Sequence, residues 1–289
     1  MTTGGGPGGP ALRYAYNTNG LAHHRLDDAL SLLADTGYAG VALTLDVAHL
    51  DPYARDLETR AVQLRAGLAS RGLGCVVETG ARFLLDPRAK HEPTLVTPSE
   101  EGRARRLDFL LRCVRVAALL EAEAVSFWAG VPRAGVDRDD AWGWLVEGVG
   151  RLAEQAAAAG VVLAFEPEPG MLVEDLAGYD ALRAAVPSLR LALDTGHCVV
   201  AGGVEPADAV RGWSSYLGAV AVEDMRRGVH EHLPFGEGDV DVPAVLAALR
   251  DVGYDRLVSV ELSRDSHRAD VMVGRAMAAL VAAERGVPA

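Results

Sequence analysis

Cysteine is scarce in this chain. Cys75, Cys113 and Cys198 are an odd number with no Cys-x-x-Cys spacing. That is not a disulfide framework; it reads as the reduced thiols of a cytosolic protein. Positive charge is also short, with 28 Lys and Arg against 40 Asp and Glu and a net charge of −12. An acidic surface repels a phosphate backbone, so nucleic acid is not an expected partner. No run approaches the apolar length of a membrane span, so no membrane partner is expected either. The chain has no glycine-rich phosphate loop after its first apolar run, which leads instead into Asn17-Thr18-Asn19-Gly20. A nicotinamide or flavin cofactor and a doubly wound open sheet are therefore disfavoured. No linker-like stretch divides the body. Residues 1–11, rich in Gly and Pro, read as a flexible tail, and 12–289 as one catalytic domain. The tail lacks the basic and apolar regions of a signal peptide, so a cytoplasmic location is expected.

What is present is a repeat of short apolar runs and amphipathic segments. Strands are expected at Leu12–Tyr16, Gly40–Leu45, Gly74–Thr79, Ala124–Trp128, Val161–Glu166, Leu189–Asp194, Leu217–Val222 and Leu257–Glu261. Helices are expected between them. Arg25–Thr36 carries Leu26, Ala29, Leu30 and Leu33 on one face and closes on Gly37. Further helices are expected at Asp56–Arg71, after Ser99, and at Asp139–Ala159, Leu176–Val186, Pro206–Trp213, Val242–Val252 and Arg268–Ala283. Eight strand–helix units in about this length predict an α/β fold, a single (β/α)8 barrel.

In such a barrel the active site lies at the carboxyl ends of the strands. Three of those ends repeat one pattern: Leu-Ala-Phe-Glu at Glu166, Leu-Ala-Leu-Asp at Asp194, and Val-Ser-Val-Glu at Glu261. Three carboxylates at one mouth repel, and a proton or a divalent cation relieves that. Imidazoles are at hand. His197 stands three residues after Asp194, where Asp194 serves either as a ligand or as a helix cap. His230 and His232 form a His-x-His pair after strand seven, with both rings on one side if that segment is extended. Such an oxygen-rich set with a few nitrogens suits Mn, Mg, Co, Fe or Zn. Asn17, Glu78 and Glu168 also stand at strand ends and are expected to face a substrate. Trp128 is either a wall for a sugar ring or ordinary packing. Arg226, Arg227 and Arg264 are candidate clamps for an anionic group. Arg82, Lys90 and His91 in the long third loop either hold an anion or are a solvated loop.

Phe-Glu-Pro at 165–167, Leu-Asp-Thr-Gly-His at 193–197, His-Leu-Pro-Phe-Gly-Glu-Gly at 232–238 and Ser-Val-Glu-Leu at 259–262 occur in one order. Together they resemble the xylose-isomerase-like superfamily of barrels, which holds sugar isomerases and epimerases, inosose dehydratases and endonuclease IV. The resemblance implies Glu166, Asp194 and Glu261 as metal ligands, with a histidine on strand seven in a His-x-x-Asp pattern. Here that segment is Ala221-Val222-Glu223-Asp224, so the histidine is missing. His232 is expected to replace it, ahead of His230 and with His197. The implied activity is a metal-dependent isomerase or epimerase of a sugar, cyclitol or related polyol, with Glu166 and Glu261 moving protons through an enediolate. The alternatives are a dehydratase of a keto-polyol such as an inosose, an endonuclease IV-like phosphodiesterase, or a catalytically altered binding barrel. The expected partner is the small polyol or sugar itself; a homo-oligomer is left open.

Overall fold

In the computed structural model, residues 11–286 are described, and the tail expected at 1–11 lies outside them but for Ala11. Eight parallel strands close a barrel. They are β1 (Arg13–Asn17), β2 (Gly40–Thr44), β3 (Gly74–Glu78), β4 (Val125–Phe127), β5 (Leu163–Phe165), β6 (Arg190–Asp194), β7 (Leu217–Val222) and β10 (Leu257–Val260). Their order round the barrel is β1-β10-β7-β6-β5-β4-β3-β2. This is the expected (β/α)8 architecture.

The period-two alternation of each strand sorts its side chains. One set, including Tyr16, Leu43, Val77, Phe127, Phe165, Leu193 and Val260, joins the large core shared with the helices. The other set is small: Ala15, Val76, Ala124, Ala164, Ala192 and Ala219 form a separate cluster inside the barrel. Two residues beyond these inner positions stand Asn17, Glu78, Ser126, Glu166, Asp194 and Ala221. The barrel floor is therefore low and apolar, and polar groups ring its mouth.

The strands β4, β5 and β10 stop short of the expected spans, before Trp128, Glu166 and Glu261 respectively. The backbone nevertheless keeps its ladder for one more step. Glu166 N–H donates to Phe127 O at 2.8 Å and Glu261 N–H to Val222 O at 3.3 Å. Both acids are thus held by the sheet while standing just past it.

The helices with the expected apolar stripes form the outer layer: α1 (Leu26–Thr36), α2 (Leu57–Ser70), α3 (Glu100–Leu120), α4 (Arg138–Ala158), α5 (Leu176–Ala185), α7 (Pro206–Gly212), α8 (Val242–Asp251) and α9 (Ala269–Glu284). Two elements depart from expectation. The Thr195-Gly196 turn opens a short helix, α6 (Thr195–Ala201), capped by Asp194 Oδ1, which accepts from His197 N–H at 3.0 Å. After β7 the chain forms an antiparallel ribbon, β8 (Asp224–Arg226) with β9 (Val229–Leu233), carrying the His-x-His pair.

Asp224 ties that ribbon down. Its carboxylate accepts from the backbone N–H of Gly236 (2.8 Å), Gly238 (2.9 Å) and Val240 (3.0 Å). A Cβ on Gly238 would lie 2.3 Å from Asp224 Oδ1, so the close approach requires glycine. Replacing Asp224 by Ala strands three buried or half-buried donors. Thermal melting of Asp224→Ala is expected to show a loss on the order of 3 kcal/mol. An unchanged melting temperature would mean that the ribbon is held otherwise.

Candidate functional site

The barrel mouth opens on a cavity of about 390 Å³. Its wall includes Glu78, Glu166, Glu168, Glu261, His197, His230 and His232, together with Trp128, Arg82, Lys90 and Arg264. Asp194 and Asn17 line a smaller void beneath it. Of the candidate residues, Arg226 stands apart: it is exposed on β8 and lines neither space, as expected of a ribbon tip pointing to solvent. Arg227 also turns outward, to Glu205. Arg264 is at the cavity but is ion-paired with Glu231.

The geometry around His197 fixes its chemistry. Its Nδ1 lies 3.2 Å from Pro167 O, and a carbonyl only accepts, so the ring proton sits on Nδ1. Nε2 then presents its lone pair to the cavity, facing His230 Nε2 at 3.2 Å. This is how a metal-ligating histidine is oriented by its outer hydrogen bond. Two nitrogens bound at ~2.1 Å to one tetrahedral ion stand roughly 3.4 Å apart, close to the observed spacing. Withdrawal from water, and next the neighbouring His197 and His232, push His230 down to about 4, so its ring is neutral at neutral pH.

Two groups offer converging ligand atoms: Glu168 with His197 and His230, and Glu166 with Asp194 and His197. The His197 nitrogen nearest Glu166 is Nδ1, at 3.5 Å, and Pro167 already occupies it. The Glu168–His197–His230 group therefore has the better-prepared donors. His230, and not the favoured His232, is the ring that meets His197. His232 turns its Nδ1 to Glu223, which is fully buried. Glu223 and its carboxylate–imidazole contact were not foreseeable from composition. The signal was an acid following the last apolar residue of β7, two residues after Ala221.

Ala221 pairs in register with Asp194, so the missing strand-seven histidine leaves space against that carboxylate. Asp194 Oδ2 and Glu223 Oε1 are buried with no hydrogen-bond partner among the described residues. Burial first, and then the charge of Asp194, pushes Glu223 well above the usual carboxylate range. Glu166 is raised likewise by burial, Asp194, Glu168, Glu261 and Glu78. Glu168 is raised by burial, with His197 opposing. Orphan carboxyl oxygens crowded in this way call for a proton or a cation.

Asn17, Asn19 and Thr44 organise the other side. Asn17 Oδ1 accepts from Asn19 N–H (3.0 Å) and Thr44 Oγ1 (2.9 Å), which turns its amide N–H₂ to Glu261 Oε2 at 3.3 Å. Asn19 Nδ2 donates to Glu261 Oε1 at 2.7 Å. Thr44 Oγ1 is also 2.8 Å from Glu78 Oε2. One hydroxyl has one proton, so if Thr44 gives it to Asn17, Glu78 must supply its own. Burial, and next the charge of Glu261, pushes Glu78 up to about 7, in keeping with that proton.

These raised acids set a pH dependence. Glu78 favours its protonated form when folded, so its contribution is fully present below the unfolded value and lost as pH rises through about 7. The melting temperature of metal-free protein is expected to fall between pH 5 and pH 8, by on the order of 5 °C. A flat profile in chelator would contradict the crowded, uncompensated acid cluster.

Comparison with known proteins places these features in a family. A curated inosose dehydratase from Lacticaseibacillus casei is 25% identical over 151 residues, 46% of this chain and 50% of that protein, so the match spans half its length. Among solved structures, D-allulose 3-epimerase from Methylomonas sp. superposes with a TM-score of 0.74 at 17% identity, covering 95% of this chain and 99% of that one. The IolI protein, solved with a binding zinc atom, gives 0.72 at 17% identity, covering 94% and 96%. At these identities the structural likeness speaks for the fold alone. The family model described as xylose isomerase-like TIM barrel matches residues 30–282, and the chain belongs to that family.

Proposed function

We propose that the chain is a divalent-metal-dependent epimerase or isomerase of a sugar, cyclitol or related polyol. The observation that carries this is the lone pair of His197 Nε2, fixed by Pro167 and set 3.2 Å from His230 Nε2, above a ring of strand-end carboxyls. Glu168, His197 and His230 would hold the cation, with Asp194 and Glu166 beneath. That set avoids the position of Ala221, so its alanine removes no ligand. When bound, the cation supplies Lewis-acid polarisation of a substrate carbonyl and offsets the developing negative charge.

The chain's own groups then divide the proton transfer. Asn17 and Asn19 hold Glu261 in one orientation, ready to take the proton from the carbon beside the carbonyl. The C–H electron pair moves into the new C=C bond, and charge gathers on the carbonyl oxygen as an enediolate. Burial and its acidic neighbours raise Glu166 well above the usual carboxylate range, which suits it to give a proton. Delivering that proton to the opposite face inverts the carbon; delivering it to the former carbonyl carbon, while the neighbouring hydroxyl proton passes to the former carbonyl oxygen, isomerises the substrate. Glu261 returns its proton through solvent, and the cycle closes. Trp128, buried on the wall, offers an apolar face to a ring.

The inosose dehydratase relative supports a second reading on the same residues. There the enolate expels a β-hydroxyl, which takes the Glu166 proton and leaves as water. One experiment separates these from a barrel that only binds. Turnover of a panel of ketoses and inososes in D₂O is expected to place deuterium at the carbon next to the carbonyl. Epimer or isomer as product supports the first reading, and a deoxy-diketone supports the second. Absence of deuterium across the panel overturns both.

A further inference from the structure

The cavity carries cations as well as acids, and the reaction proposed above uses only the acids. The loop after β3 follows directly on Glu78 and, as one wall, brings Arg82 and Lys90 to the cavity. Lys90 is the single lysine of a 289-residue chain. Neither side chain has an ion-pair partner among the described residues, although acids outnumber bases 40 to 28. Arg264, the other cation here, is by contrast already neutralised by Glu231.

Behind this wall sits a third cation. Arg106 is fully buried, with its guanidinium 4.3 Å from the centre of the Trp128 ring. It gives one N–H to Thr79 O at 3.0 Å, while Nε and Nη1 have no partner among the described residues. Burying a guanidinium without a carboxylate is costly. A neutral polyol would need none of these charges.

The loop is held in place for the purpose. Arg82 has a left-handed backbone (φ 43°), as does His91 (φ 67°), and Arg82 O accepts from His91 N–H at 2.6 Å. The Arg82 guanidinium spends one N–H on Asn19 O at 3.1 Å, beside the residue that orients Glu261, and the rest of its fork is unengaged among the described residues. Lys90 lines the cavity alongside His230 and Glu231 of the ribbon, and Arg82 alongside Glu78 and Glu261.

The geometry points to an anionic substrate: a polyol bearing an oxyanion, carboxylate or phosphate, seated between Arg82 and Lys90, with its carbonyl and hydroxyls toward the acids. A guanidinium fork and a mobile ammonium are the two groups suited to such an oxyanion. This inference rests on the reading of the cavity as a polyol site, and binding tests it without turnover.

Dissociation constants would be measured by calorimetry at low salt for matched probes: quinate against myo-inositol, and glucose 6-phosphate against glucose. One charged member, at least, is expected to bind about tenfold tighter than its neutral match. A preference confined to quinate assigns a carboxylate, and one confined to glucose 6-phosphate a phosphate. The preference is expected to fade with added salt and to be lost in Lys90→Gln and Arg82→Gln, but kept in Arg88→Gln, an exposed site on the same loop. Equal or absent binding within both pairs, or a preference that survives Lys90→Gln, overturns the inference. Anion preference without deuterium uptake would sink the proposed reaction and leave this inference standing; uptake by neutral polyols with no preference would do the reverse.

Discussion

Replacing Glu261 by Gln is expected to lower kcat by roughly 10³-fold while the protein still folds and binds ligand, since loss of a positioned acid–base group costs about 10²–10⁴. Glutamine keeps the shape and can still meet Asn17 and Asn19, but it cannot accept a proton. Glu166→Gln is expected to lower product formation to a similar degree by a different route. Glu261 would still remove and exchange the substrate proton, so the substrate recovered from D₂O would carry deuterium without being converted. The two variants therefore separate the roles: Glu261→Gln stops exchange, and Glu166→Gln uncouples exchange from product. If both variants exchange equally, or if neither loses more than a few-fold in kcat, the proton transfer lies elsewhere.

The second large effect is on stability. The cavity gathers Glu78, Glu166 and Glu168, with Asp194 beneath and Glu223 behind His232, and burial raises Glu78, Glu166, Glu168 and Glu223. A divalent cation bound to the folded state alone stabilises it by about 4 kcal/mol at 1,000 times its Kd. For a chain of this size that is a rise of roughly 10 °C in melting temperature. The gain is expected to be largest near pH 8, where the acids would otherwise be ionised and uncompensated, and to shrink toward pH 5. His197→Gln keeps the volume of the side chain, breaks the nitrogen pair, and is expected to abolish the cation-dependent rise. Glu223→Gln tests the support to His232. If that contact only orients the ring, the rise persists with weaker apparent affinity, roughly 10–100-fold.

Much of this site was legible in the sequence because a barrel converts strand periodicity into placement. Once Glu166, Asp194 and Glu261 each end an apolar run, closure of the sheet brings them to one mouth. The spacing of Asp194 and His197 left open whether the acid caps a helix or faces the site. In the fold it does both, one oxygen on the N–H of His197 and the other orphaned in the acid cluster. The choice between His230 and His232 was not legible, because both point the same way along β9. What separates them is Glu223, which claims His232 through a contact distant in the ladder pattern. Asn19 and Thr44 were also obscure. Their roles depend on the pairing of β1 with β10 and β2 and of β2 with β3, which a strand's own pattern does not reveal. Arg226 was misplaced for a related reason. A ribbon after β7 carries it away from the mouth that its sequence position suggested.

Ala221 stands where a strand-seven ligand was expected. Taken alone, the missing histidine argues for a barrel that has lost its metal. The preoriented His197, the facing His230 and the adjacent Glu168 argue that the cation is held one level higher. Elemental analysis after dialysis against a mixture of divalent cations, followed by desalting, decides between them. About one equivalent of a divalent metal is expected per wild-type chain, and roughly tenfold less in His197→Gln and His230→Gln. A wild-type protein that retains no metal, or variants that retain as much as the wild type, would contradict that placement.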